Sequence, residues 1–151
     1  MPVTIKKAPG DLAQALARAR DLKPRLEAAT DELNRSIEAA EAALVSLQLG
    51  VRACIVMQRN DEEGWGRYLT FGKESKVWRL LIEEGIDEPE VPLTITPLVN
   101  ASREIRLRAA ELLPTLVQKL VSTAEDEIKR VEAAATAARN VVTAISSGGD
   151  K

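Results

Sequence analysis

From Leu12 to Leu47 one register of positions steps alternately by four and three: Leu12, Leu16, Ala19, Lys23, Leu26, Thr30, Leu33, Ile37, Ala40, Leu44, Leu47. Apart from Lys23 and Thr30 it is apolar, a heptad seam of about five repeats. It predicts a helix over 11–49, with Gly50 as its stop. Pro24 lies inside the seam, lacks an N–H and crowds the carbonyl four residues back. Helix one is therefore expected to kink there, or to split with Asp21 capping the second part. A second helix is predicted over 97–147, opening at Thr96 or Asn100. Its seam reads Val117, Val121, Ala124, Ile128, Val131, Ala135, Ala138, Val142, Ile145, which makes Ile128 a central core position. Between Ile105 and Val121 the apolar face is wide enough for two neighbours, so the segment between the helices is expected to fold back there. Pro114 falls within this part and should kink it.

The intervening residues, 50–95, change period. Residues 51–58, 65–72 and 76–82 are β-branched, aromatic and apolar runs separated by turn clusters, a three-stranded antiparallel meander. Residues 91–95 alternate and could add a short edge strand, where Pro92 is tolerated. The fold class expected is α+β and mostly helical. Two long antiparallel coiled-coil-like helices flank a small three-stranded β-meander in a single domain over 1–151 with flexible termini. A helical hairpin with Leu47 beside the start of helix two would set Ala13, Ala15, Ala17 and Ala19 against Ala133–Ala138, small facing small.

Helix, small sheet and helix in this order is similar in outline to prefoldin-type chaperone subunits, a likeness of architecture only. The chain departs from that pattern in its longer β segment and in Pro24 and Pro114 within the coil. No prefoldin sequence motif occurs in it.

The 151 residues are 45% hydrophobic and 29% charged, with a formal net charge of -2, a composition that folds and gives no global bias toward nucleic acid or membrane surfaces. There is no histidine. Ser-His-Asp and Cys-His pairs, His-ligated zinc and imidazole relays are thus excluded. The one cysteine, Cys54, has no disulfide partner within the chain and sits in an apolar strand, where burial would leave it inert. Met1–Gly10 lacks the apolar run of a secretory signal, and no stretch reaches the roughly 18 apolar residues of a membrane span, so a cytoplasmic protein is expected. No phosphate-loop pattern occurs, and the acidic runs 61–63 and 83–90 lack calcium-loop spacing and read as solvated turns. No metal or cofactor is expected.

All four aromatic residues, Trp65, Tyr68, Phe71 and Trp78, fall within fourteen positions, with Arg67 and Arg79 among them. Such a cluster seals a small sheet onto helices, or forms an interface or a base-stacking surface. Arg103 and Arg106 open helix two with Arg108, spread around the axis as a solvated face with local ion pairs. Lys6, Lys7, Arg18, Arg20, Lys23 and Arg25 make the N-terminal region basic. These features point to a non-enzymatic protein–protein interaction or assembly protein, self-associating as a homo-oligomer or holding another protein. Trp65, Arg67, Tyr68, Phe71, Trp78, Arg79, Arg103 and Arg106 form its candidate surface. A nucleic-acid-associated or regulatory protein using the basic N-terminal region is the alternative.

Overall fold

A computed structural model describes residues 9–148. The chain runs α1 (Pro9–Ser46), β1 (Ala53–Asn60), β2 (Trp65–Glu74), β3 (Val77–Ile86), β4 (Thr94–Pro97), a short 3₁₀ turn (Leu98–Asn100) and α2 (Arg103–Gly148). The four strands form one antiparallel sheet in the order β1-β2-β3-β4. The expected meander is thus one strand short. The fourth strand lies at the end of the 91–95 segment, shifted past Pro92, because Thr94–Pro97 pairs with Glu84–Leu81. Its only proline closes the strand, where a missing N–H costs least.

Both helices are continuous through Pro24 and Pro114. Their ends move slightly from the expected ones. The residue that caps α2 is Ser102, whose hydroxyl accepts the Ile105 N–H at 3.4 Å, in place of Thr96 or Asn100. The expected turn at Lys73–Ser75 sits one residue later. Ser75 and Lys76 both take positive φ, 49° and 70°, the mirror-image turn that matches the strand twist of a two-residue hairpin.

Strand alternation divides the sheet into two faces. The rows Ala53–Phe71–Leu80 and Ile55–Leu69–Ile82 face the helices. The rows between them, Cys54–Thr70–Leu81 and Val56–Tyr68–Glu83, face away. Onto the first face pack Ile37 and Leu44 of α1, Leu98, and Ala109, Leu116 and Leu120 of α2. The wide part of α2 therefore does receive the sheet, as its sequence predicted.

The register of the helices differs from the expected one. Leu26, Thr30 and Leu33 of α1 lie beside Arg103, Glu104 and Leu107 at the start of α2, and Arg106 donates to Asn34 Oδ1. Leu49 and Val51, just beyond α1, lie beside Ala124, Ile128 and Val131. The coiled coil expected from the two seams is not what packs the helices, since Val121, Ile128, Val131 and Val142 of the α2 seam are exposed. Each helix spends its buried face on the sheet, and little of either is left for the other. Ala13–Ala19 are exposed and do not meet Ala133–Ala138 in this register.

Glu41 ties α1 to the sheet. Its Oε2 accepts the Leu80 N–H at 2.9 Å, one position beyond the last β3–β4 pair, Leu81 with Pro97. A carboxylate there replaces a strand that has ended, because a part-buried N–H needs an acceptor. Glu41→Ala is expected to cost about 1–3 kcal/mol of unfolding free energy in urea titration, and Glu41→Gln clearly less.

Candidate interaction surface

The eight residues of the expected surface do not gather. Phe71 is buried on the helix-facing side and stacks on half-buried Trp78 at 5.5 Å between centroids and 27° between planes. These two close the core. Trp65 lies at the other end of β2 under the Arg67 guanidinium, 5.0 Å from the ring centroid. That guanidinium is engaged, with Nε 2.8 Å from Glu84 Oε2 and Nη1 3.1 Å from Gln58 Oε1. Tyr68 points to the opposite face of the sheet, and Arg79 is exposed at its far end. Arg103 and Arg106 lie at the junction of the two helices. A run of fourteen positions placed the aromatics close in sequence, and the period of two placed them apart in space. Lys6 and Lys7 lie outside the described residues.

Two surfaces that sequence reasoning treated differently stand open. The first is the helical seam. In α2 the buried stripe is Ala109, Leu116 and Leu120, with Ile105, Leu112 and Leu113 packed beside it. The heptad seam runs one residue over, about 100° around the axis, and is largely uncovered, with only Ala124 half-buried beside Leu49 and Val51. Val121, Val131 and Val142 are exposed, as is Ile128 at 56% and Ile145 at 70%. Ile128 is therefore no core residue of the single chain. In α1 the seam is split: Ile37 and Leu44 are buried, whereas Leu12, Leu16 and Leu26 are each more than half exposed. Beyond Thr30 toward the N-terminus of α1, and from Glu125 onward in α2, every described residue with an assigned exposure is exposed.

The second is the outer sheet face, which no helix covers and which is open only in part, since Thr70, Leu81 and Glu83 on it are buried. Arg52 reaches across it to Glu83, Nη2 to Oε1 at 2.5 Å. Gly72 leaves room for the Arg52 side chain, since a Cβ there would stand 3.4 Å from Arg52 Cγ. Thr70 is fully buried on this face. Glu83 and Glu84, expected in a solvated turn, lie within β3, and Glu83 is only 8% exposed. Cys54 is part-exposed on the same face, not sealed in the core.

Among the described residues no three His, Cys, Asp or Glu side chains converge as a metal-ligand set. No helix among them is long and apolar enough to cross a membrane. Comparison with protein-family models, with curated proteins and with solved structures found no match for this chain.

Proposed function

We propose that this chain is a non-enzymatic assembly protein that self-associates through its helical arms, a second copy covering the open seam. The observation that carries this is the largely exposed heptad from Val117 to Ile145, in which only Ala124 is half-buried. It keeps its alternating three and four spacing over a length of about 42 Å at 1.5 Å per residue. An exposed apolar stripe of this extent on a soluble helix marks an interaction site. Its spacing suits another helix.

A second copy fits because the chain carries the complement. The α1 arm, residues 10–29, has four basic residues (Arg18, Arg20, Lys23, Arg25) against Asp11, Asp21 and Glu27. The α2 arm, residues 125–148, has Lys129, Arg130 and Arg139 against Glu125, Asp126, Glu127 and Glu132. The arms differ in sign, both are alanine-rich, and both bear an open seam, so arms of separate copies can pair closely with favourable flanking charges. Homo-oligomers are also the commonest soluble assemblies.

Light scattering across a wide concentration range tests this reading. The mass is expected to exceed the 16.4 kDa of one chain and to rise with concentration. A mass that stays at one chain in the most concentrated sample overturns it and leaves a monomeric adaptor for a different protein.

A further inference from the structure

We infer that the outer face of the sheet holds a binding site for a small organic cation, an ammonium group on an apolar or aromatic body. A cavity of about 420 Å³ lies between this face and the segment that joins β3 to β4. Its floor includes Cys54, Tyr68 and Glu83, and its apolar wall is Ile86, Val91 and Leu93. That volume falls in the range of small-molecule pockets, which are mostly apolar with a few placed polar groups.

The backbone has made room for this wall. A Cβ at Gly66 would stand 2.5 Å from the Tyr68 hydroxyl oxygen and 2.8 Å from its Cζ, so the phenol ring lies flat along the strand only because position 66 is glycine. Gly85 has φ 153°, and Leu93 Cδ2 would stand 3.2 Å from a Cβ there. The joining segment can therefore close over the sheet, and it is held at its start by the Asp87 N–H donating to the Gly64 carbonyl at 2.6 Å.

The sign of the ligand follows from the polar groups. Glu83 has a side chain only 10% exposed, and Arg52 engages its Oε1. An ionised carboxylate offers about four lone-pair sites, and the second oxygen of Glu83 accepts no hydrogen bond among the described residues. That second oxygen is not sealed from solvent, so it is open to a further donor from the cavity, best a charged one. Asp87 and Glu88 line the same cavity, giving three carboxylates against the Arg52 guanidinium. Arg59, 3.9 Å from Asp87 and outside the lining, leaves the balance negative. The face of the Tyr68 ring adds attraction for a cation.

Cys54, the only thiol, provides a readout from inside the cavity. Phenethylammonium is expected to slow its alkylation by iodoacetamide saturably in the folded protein. 3-Phenylpropionate, with the same body and the opposite charge, is not. Glu83→Gln should weaken the protection about ten-fold. Because that variant also disturbs the Arg52 pair, Asp87→Asn with Glu88→Gln at the exposed rim serves as the second test. It should weaken protection about two- to three-fold with an unchanged melting temperature. Absence of saturable protection up to about 10 mM, equal protection by the two compounds, or protection unaltered in both variants overturns the site.

Discussion

Leu116→Ala should lower the unfolding free energy by about 3–5 kcal/mol. Leu116 is 0% exposed and belongs to the cluster that joins α2 to Ala53, Leu69 and Phe71 of the sheet. Removing its branched end loses transfer free energy and leaves a void that rigid strands cannot fill by collapsing. The neighbouring Val117, on the open side of the same helix, is the internal control: Val117→Ala should cost well under half as much in the dilute protein. Urea denaturation of the two variants at low concentration measures both. Equal costs would mean that the buried stripe of α2 has been assigned to the wrong residues.

Ile128→Asp should leave a dilute single chain folded and abolish self-association. With 56% of Ile128 already in solvent, a carboxylate there meets water and costs the monomer little. In the paired state the same carboxylate enters a helix–helix seam without a partner, a penalty of several kcal/mol at each copy of the contact. The expected result is an unaltered far-ultraviolet circular dichroism spectrum at low concentration, a mass fixed at one chain, and a melting temperature that no longer rises with concentration. A variant that unfolds at every concentration would place Ile128 in an intramolecular core. One that still associates as the parent does would move the interface elsewhere.

Much of the fold was legible in the chain. The four-three spacing marked two helices, the change to β-branched runs marked strands, and the wide face at Ile105–Val121 marked where the sheet would lie. Absence of histidine removed whole classes of chemistry with no structure at all. Local pattern does this well because periodicity and composition are properties of neighbours in sequence.

What the pattern could not decide is which of two adjacent apolar stripes on a helix is covered. Leu116 and Val117 are equally apolar, yet only the side facing β1 and β2 is buried, and that depends on how a remote sheet docks. The two seams by themselves predict an antiparallel partner within the chain. Tertiary packing met the demand of α1 at Ile37 and Leu44 with β3, and left the seam of α2 open. The same limit scattered the aromatic cluster, since one residue of strand register sends Tyr68 and Phe71 to opposite faces. It also turned Glu83 from a solvated acid into a buried one under Arg52, a pairing 31 positions apart in the chain. Sequence by itself determined the elements and the chemistry they lack. Only the tertiary structure decided which surfaces remain open, because burial is set by contacts between distant segments and no local period encodes them.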